Sequence, residues 1–240
     1  MKRLMEAWFR FKGIDSREMG VFFKQMPVRY IPGRNITRKH ASGVDGLYAY
    51  GDGSYNDAKV QMELDLRDES KIADVLAWLS GSGELVFSDE PNLAYDASVE
   101  REFSRASITP RLTGQRLTIM WICKPFRRII PAAEPITLTA AGRIDNPGTI
   151  YSLPKITIVG NGEFDVYINT QRMSFTDVDD GIVIDSERMD AFNLEESLAT
   201  NDCAYGEFFR MQPGANMINW VLGDGGNIDS ITIEPRWRCI

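Results

Sequence analysis

The chain has 240 residues and a mass of 27.1 kDa, a size that suits two small domains or one large β-fold. Apolar residues make up 43% of it and charged residues 25%, which excludes a chain that is disordered throughout. Residues 1–133 carry 20 Lys and Arg against 17 Asp and Glu, whereas residues 134–240 carry 7 against 17. The acidic second half should repel phosphate, which argues against nucleic-acid binding there.

Short apolar segments separated by turn-forming residues fill the first fifty positions and predict strands and loops. Residues 35–46, by contrast, are mainly polar and contain Gly43, Asp45 and Gly46, and they are a hairpin candidate. Farther along, apolar residues alternate with polar ones, which predicts a strand with one buried face. The apolar residues of this strand are Val60, Met62, Leu64 and Leu66.

One helix is predicted, at about residues 69–80. Its apolar residues Ile72, Val75, Leu76 and Leu79 stand at i, i+3, i+4 and i+7, so they share one face. Asp68 is placed to cap the start of the helix, and the glycines that follow residue 80 are placed to end it.

A change in composition near Pro131 predicts a boundary between two domains, residues 1–133 and residues 134–240. The first is expected to be a β-sheet or barrel-like domain with the one packed helix. In the second, short strand candidates are separated by Asn, Gly, Asp and Pro, which predicts an antiparallel β-sandwich. The fold class is therefore mainly β.

Two segments of the second domain are rich in glycine and aspartate and have the composition of binding loops. Residues 160–165 lack the third glycine and the following helix of a dinucleotide-binding loop, so we interpret them as a hairpin turn. Residues 177–181 do not have the spacing of an EF-hand. They are either an acidic turn or a looser calcium site, and the turn is favoured.

The single histidine and the three cysteines restrict the possible chemistry. His40 is the only histidine, which excludes a histidine pair and a histidine-rich metal site. Nothing in the sequence suggests that a cysteine reaches it as a nucleophile, and we expect it in a surface loop. Cys123, Cys203 and Cys239 are widely spaced with no histidine nearby, so reduced, buried thiols are expected. We predict no catalytic residue, no metal ligand and no cofactor, and the chain is not expected to be an enzyme.

The first residues lack the apolar core of a signal peptide, and no uncharged apolar run has the length needed to span a membrane. We therefore expect the protein to be made and assembled in a cytoplasm, without a membrane partner.

Taken in order, several segments resemble the distal tail proteins of long-tailed bacteriophages (siphophages) and the related prophage tail components. Each segment is short, but their order and spacing cover nearly the whole chain. The segments are Phe11–Ser16, Gly43–Tyr48, Gly53–Asp57, Pro154–Gly162, Ile184–Glu187, Gly206–Asn216 and Glu234–Arg238.

The resemblance implies a virion structural protein at the tail tip or baseplate. It implies that residues 1–133 form a ring of six subunits around the DNA channel and that residues 134–240 form an outward sandwich similar to galectins or carbohydrate-binding modules. The implied partners are further copies of the chain, the major tail tube protein, and a tail fibre or receptor-binding protein. DNA would only pass through the channel as cargo.

Two alternatives to this hub remain open. The second domain could be a carbohydrate-binding module for host attachment, with Trp220 and Trp237 as a stacking platform for a sugar, although core packing is the favoured role of both rings. Galectin-type recognition uses a histidine, and residues 134–240 contain none. A glycoside hydrolase would need a carboxylate pair in a cleft, which no sequence feature supports.

Overall fold

A computed structural model describes residues 7–99, 110–111 and 114–240. The chain divides into two compact units, one ending at Arg127 and joined by Ile240, the other running from Arg128 to Cys239. Antiparallel strands dominate both units, and the described residues contain one α-helix, so the predicted mainly β fold class is confirmed. The division lies a few residues before the boundary expected near Pro131, and the roles assigned to residues 1–133 and 134–240 stay predictions.

The first unit contains one large antiparallel sheet and one separate hairpin. The sheet has the order β2-β1-β8-β9-β11-β7-β3, with β4 also paired to β7 and β10 to β11, whereas β5 and β6 pair only with each other. The elements are β1 (Phe9–Phe11), β2 (Ile14–Asp15), β3 (Val21–Phe23), β4 (Val28–Tyr30), β5 (Thr37–Lys39), β6 (Tyr48–Tyr50), β7 (Ala58–Leu66), α1 (Ile72–Leu79), β8 (Ser82–Phe87), β9 (Glu90–Val99), β10 (Pro110–Arg111) and β11 (Gly114–Cys123).

The strand predicted from alternation is β7, and the prediction is confirmed. Its apolar residues Val60, Met62 and Leu64 have no exposed surface and join the core, while the residues between them face outward. Hydrogen bonds to β11 on one edge and to β3 and β4 on the other place β7 in the interior of the sheet.

The predicted helix is also confirmed, as α1, which packs Val75, Trp78 and Leu79 into the core. The Trp78 indole N–H donates to the Phe11 carbonyl at 2.9 Å, so the ring is fixed as well as buried. The expected cap was wrong in detail. The Asp68 carboxylate accepts hydrogen bonds from the N–H and the hydroxyl of Ser70, which holds a 3₁₀ turn (Glu69–Lys71), and α1 itself begins after Lys71.

The second unit contains eleven described strands, of which β12 starts at the division between the units. They are β12 (Arg127–Ile129), β13 (Ile136–Leu138), β14 (Gly142–Asn146), β15 (Lys155–Ile168), β16 (Gln171–Val178), β17 (Gly181–Asp185), β18 (Asp190–Phe192), β19 (Ala204–Gly206), β20 (Gly214–Leu222), β21 (Asn227–Glu234) and β22 (Arg238–Cys239), with a 3₁₀ turn at Asn201–Cys203.

Strand β15 belongs to two sheets. Its first half lies between β21 and β17, and its second half lies between β20 and β16. The first sheet continues to β13 and β18, the second to β14 and β19. Buried residues from both sheets, such as Ile158, Val166 and Ile231, form one cluster, which is the arrangement of a β-sandwich.

The hairpin turn predicted at residues 160–165 was wrong, because these residues continue β15 from one sheet to the other. A bulge lies between Gly162 and Phe164, and bulges bend a strand. A Cβ at Gly160 would collide with the Asn227 carbonyl oxygen, and one at Gly162 with the Gly225 carbonyl oxygen. The glycines are therefore needed for the close approach of two backbones rather than for a chain reversal.

Two of the segments that carried the family resemblance bind each other in this unit. The Arg236 guanidinium donates to both carboxylate oxygens of Asp185, at 2.7 and 3.1 Å. The backbone N–H groups of Glu187 and Arg188 donate to Oδ1 of the same carboxylate. Asp185 is 4% exposed, so this pair ties the end of β17 to the segment that follows β21.

Candidate assembly surface

Residues 33–56, which we call the arm, leave the sheet of the first unit and return to it beside β7. At its base the Asn35 N–H donates to the Ser54 carbonyl and the Asn56 N–H to the Gly33 carbonyl, both at 2.9 Å. The Arg34 guanidinium adds a bond of 2.8 Å to the Gly53 carbonyl. The two ends of the arm are therefore held side by side by backbone hydrogen bonds.

Aromatic contacts fix this base to the first unit. The Arg34 guanidinium lies over the Tyr55 ring, 4.3 Å from its centroid, and the Tyr55 ring meets the buried ring of Phe126 edge-on at 4.9 Å. Such cation–π and edge-to-face contacts add modest, directional stabilisation. The arm thus starts from an ordered base.

The return of the arm depends on Gly51 and Asp52. A Cβ at Gly51 would collide with the Asn35 carbonyl oxygen, so only glycine permits the two segments to approach so closely. The Asp52 carboxylate accepts hydrogen bonds from the hydroxyl and the N–H of Ser54, at 2.6 and 2.8 Å, and these bonds lower its pKa. At neutral pH the turn is therefore held by an ionised carboxylate.

Beyond the base, β5 and β6 pair with each other and with no other described strand. Thr37 lies opposite Tyr50, and Lys39 lies opposite Tyr48. A hairpin was predicted at residues 35–46, and the hairpin observed extends to Tyr50. Its register could not be read from the sequence, because both faces are exposed and no apolar alternation fixes it.

The arm exposes large apolar side chains that contact no core. More than half of the surface of Ile36, Leu47, Tyr48 and Tyr50 is exposed, and no residue of β5 or β6 is buried. An isolated two-stranded hairpin is at best marginally stable in water. Exposed apolar residues on such a hairpin are typical of a surface that another chain covers.

A second exposed apolar stretch, residues 26–31, precedes the arm, and we call it the edge segment. It includes β4, which has β7 on one side and no described strand on the other. Ile31 is 84% exposed, and Met26, Val28 and Tyr30 are each exposed by more than two fifths. Together, the arm and the edge segment form the candidate assembly surface.

The edge segment is anchored through Arg29. Its guanidinium donates to Asp89 and to Glu90, each at 2.6 Å, and lies 4.4 Å from the centroid of the buried Phe87 ring. Arg127 binds the other oxygen of Glu90 at 2.7 Å. This network keeps the backbone of β4 in place while its apolar neighbours face solvent. No sequence pattern indicates the role of Arg29, because its acidic partners lie some sixty positions away in the chain.

The structure also places the other residues singled out in the sequence. Trp237 is 7% exposed and lies in the core of the second unit, and Trp220 is partly buried against that core. These positions favour core packing for both rings. Sugar stacking by Trp220 and Trp237 stays a prediction, and the burial of Trp237 argues against it. His40 lies exposed on the arm, as expected.

The three thiols and the acidic side chains also have defined positions in the described part of the chain. Cys123 is buried, as expected, and burial, reinforced by Asp57 and Asp96, raises its pKa to about 12. The expected burial was wrong for Cys203 and Cys239, which are only partly buried. No three His, Cys, Asp or Glu side chains among residues 7–99, 110–111 and 114–240 are arranged to hold a metal ion, and residues 177–181 lead directly into β17.

No family model matches the chain, and no curated protein matches it. Among solved structures, the chain is similar to the crystal structure of the SPP1 Dit (gp 19.1) protein, described as a paradigm of the hub adsorption apparatus in phages that infect Gram-positive bacteria. The TM-score is 0.63 at 13% sequence identity, over 95% of this chain and 97% of that chain. The likeness shows that the two proteins share a fold.

Proposed function

We propose that the chain is a structural protein of a phage virion, a distal tail hub that forms a ring between the tail tube and the tail tip. Its partners are further copies of itself, the major tail tube protein, and a tail fibre or receptor-binding protein. Six subunits form the ring, and DNA passes through it. The protein acts by assembly, and its place is the tail tip of the virion.

Two findings support this proposal. The fold is similar to that of a phage hub protein over nearly the full length of both chains. The first unit also carries an exposed arm and an exposed apolar edge segment on ordered, hydrogen-bonded bases. The arm carries the proposal, because an ordered hairpin without a core of its own gains its apolar contacts from another subunit.

A closed ring needs two unlike surfaces on each subunit, because every subunit contacts one neighbour with one face and the other neighbour with another face. The arm and the edge segment supply one such surface. Strand β4 also offers unpaired backbone groups, and free strand edges associate readily with further strands. The exposed apolar residues would then be buried between neighbouring subunits.

We also propose that the protein has no catalytic activity. The only histidine lies exposed on the arm, where it accompanies no described thiol. The high pKa of Cys123 keeps its thiol protonated at neutral pH and makes it a poor nucleophile. A hub that acts by assembly does not require either group to react.

The test measures the mass of the purified chain by light scattering over a concentration series, with negative-stain images of the largest species. We expect the mass to increase with concentration toward a closed ring with an open centre. The double variant Leu47→Ser, Tyr48→Ser should shift the equilibrium to monomers, because it removes apolar surface from the arm.

The control is the double variant Met189→Ser, Leu198→Ser, in which two similarly exposed apolar residues of the second unit are replaced. It should assemble like the unmodified chain. A strict monomer at the highest concentration, or equal loss of assembly in both double variants, would contradict the proposed role of the arm.

A further inference from the structure

A small cavity of about 200 Å³ lies beside the edge segment in the first unit. Its walls are mainly apolar and aromatic, and two arginines complete them. The lining includes Arg29, Ile31, Pro32, Tyr95, Pro125 and Arg127. Since an engineered apolar cavity of about 150 Å³ can hold a benzene molecule, this cavity has room for one aromatic ring.

One polar group at this cavity has no hydrogen-bond partner. The Arg29 Nη1 and Nη2 donate to Glu90 and Asp89, whereas the Arg29 Nε is buried and makes no hydrogen bond within the described part of the chain. A buried donor without a partner costs stability, and more so on a charged group. A group that brings an oxygen acceptor into the cavity would therefore gain a charge-assisted hydrogen bond.

The charges around the cavity offset each other. Arg29 and Arg127 both bind Glu90, and Arg29 also binds Asp89, so two positive side chains meet two negative ones. The cavity therefore suits a neutral group rather than a phosphate or a carboxylate. The phenol of a tyrosine has the required combination, because it is an apolar ring that carries a single oxygen able to accept a hydrogen bond.

The arm presents two tyrosines on one of its faces. Tyr48 lies opposite Lys39 and Tyr50 lies opposite Thr37, and residues directly opposite each other share a face. The Lys39 ammonium lies 5.6 Å from the centroid of the Tyr50 ring, so that ring has a partner on its own arm. Tyr48 is 56% exposed and has no ring contact or hydrogen bond among the described residues. Tyr48 is thus the tyrosine that is available to another subunit.

We propose that Tyr48 of one subunit enters this cavity of the next subunit, where its phenol oxygen accepts a hydrogen bond from the Arg29 Nε. The inference rests on the proposed hub and names the contact that closes its ring. Within the candidate assembly surface, the arm then contacts one neighbour and the cavity contacts the other. Such a heterologous contact repeats from subunit to subunit around a ring.

The experiment mixes two full-length variants, Ile31→Cys and Tyr48→Cys, and treats the assembled mixture with a short bismaleimide. Ile31 lines the cavity and is 84% exposed, and Tyr48 is also exposed, so both variants should fold normally. Cys203→Ser and Cys239→Ser are added to both chains, because these partly buried thiols could also react. We expect a covalent dimer that contains one chain of each kind, which an affinity tag on one variant identifies.

The matched control mixes Ile31→Cys with Met189→Cys, at a residue of the second unit that is 60% exposed. This mixture should give little cross-linked product, because Met189 lies outside the proposed contact. Each variant treated alone should also stay a single chain, since a heterologous contact brings Tyr48 close to Ile31 and not to a second Tyr48.

A second measurement tests the hydrogen bond. Tyr48→Phe keeps the ring but removes the acceptor for Arg29, so it should raise the concentration needed for half-assembly by about tenfold. Tyr50→Phe removes a hydroxyl from the same face of the arm and should leave that concentration unchanged. Light scattering measures both variants, and circular dichroism verifies that they are folded.

Rings that form without the mixed cross-link would overturn this inference and leave the proposed hub intact. Efficient cross-linking of Tyr48→Cys to itself, equal cross-linking to Met189→Cys, or equal effects of Tyr48→Phe and Tyr50→Phe would also overturn it. A chain that stays monomeric and forms no cross-link at any concentration would overturn both the contact and the hub.

Discussion

Two hairpins of this chain differ in whether their apolar residues are buried in a core of the same chain. The hairpin of β15 and β16 buries Phe164, Val166 and Phe175 in the sandwich core, so its register is fixed by its own chain. The arm pairs β5 with β6 in the same antiparallel way but buries none of its residues. Similar local pairing thus serves stability in one unit and, in our proposal, association in the other.

The largest expected effect is on the buried hairpin. Phe175→Ala removes a ring that is 1% exposed and lies 5.2 Å from the Phe164 ring. We expect a loss of about 3–5 kcal/mol in the free energy of unfolding, from lost burial and the resulting cavity. Urea unfolding measured by fluorescence checks this, and a change below about 1 kcal/mol would contradict the buried position.

The second largest effect on stability is expected at the ion pair between Asp185 and Arg236. Asp185→Asn should lower stability at neutral pH by about 2–3 kcal/mol, because Arg236 then loses this ion pair and keeps only the longer one, of 3.5 Å, to Glu187. Burial by itself would raise the pKa of Asp185, but the hydrogen bonds from Arg236 and from the N–H groups of Arg188 and Glu187, together with the charge of Arg236, outweigh it. The folded-state pKa therefore lies below the usual 3.8.

A lowered pKa means that the carboxylate stabilises the fold above the unfolded pKa and loses that effect as the pH falls through the folded pKa. The stability difference between the unmodified chain and Asp185→Asn should therefore be full above about pH 5 and shrink below about pH 4. Thermal melts between pH 3 and pH 7 measure it. A difference that does not vary with pH would contradict the ionic role.

A smaller loss of stability is expected when either of two glycines with positive φ is replaced by alanine, and the loss should differ between the two. Gly162 has φ +75° and backbone atoms of residue 225 against the position of a Cβ, whereas Gly214 has φ +81° and open space there. Gly214→Ala should cost about 1 kcal/mol from backbone strain alone, and Gly162→Ala at least twice that. Urea unfolding compares the two variants directly, and equal costs would mean that β15 can move away from the turn at residue 225.

The smallest effect is expected on the arm itself. Tyr50→Ala should change the unfolding free energy of the monomer by less than about 0.5 kcal/mol, because the ring is half exposed and outside the core. The measurement is urea unfolding at a concentration where light scattering shows only monomer. A loss comparable to that of Phe175→Ala would show that the arm packs on its own chain.

The elements that could be predicted from the sequence are those with a clear periodic pattern of apolar residues within the element itself. Strand β7 and helix α1 were identifiable because period 2 and period 3.6 are visible in their apolar residues. Strand β9 was missed, because its polar start, Glu90–Asn92, resembles a loop. Strand β15 was divided in two, because a glycine required for a close approach cannot be told from a turn glycine without knowing that Asn227 lies opposite.

The candidate site was predictable to a similar extent. Residues 35–46 were identified as a hairpin and possible contact element, but the paired strands and the anchors Arg29 and Phe126 depend on partners distant in sequence. The burial of Trp237 depends on the tertiary structure, so it could not be predicted from the presence of aromatic residues in the sequence.

The pairing of β15 in both sheets of the sandwich also has a consequence during synthesis on the ribosome. The partners on one edge, β16 and β17, follow closely in the chain, so they can pair with β15 soon after it emerges. The partners on the other edge, β20 and β21, are translated only after several further elements. Until then the nascent chain presents a long strand with one unpaired edge, a state that invites association with other nascent chains. Slower translation between β17 and β20 should therefore increase aggregation of newly made protein.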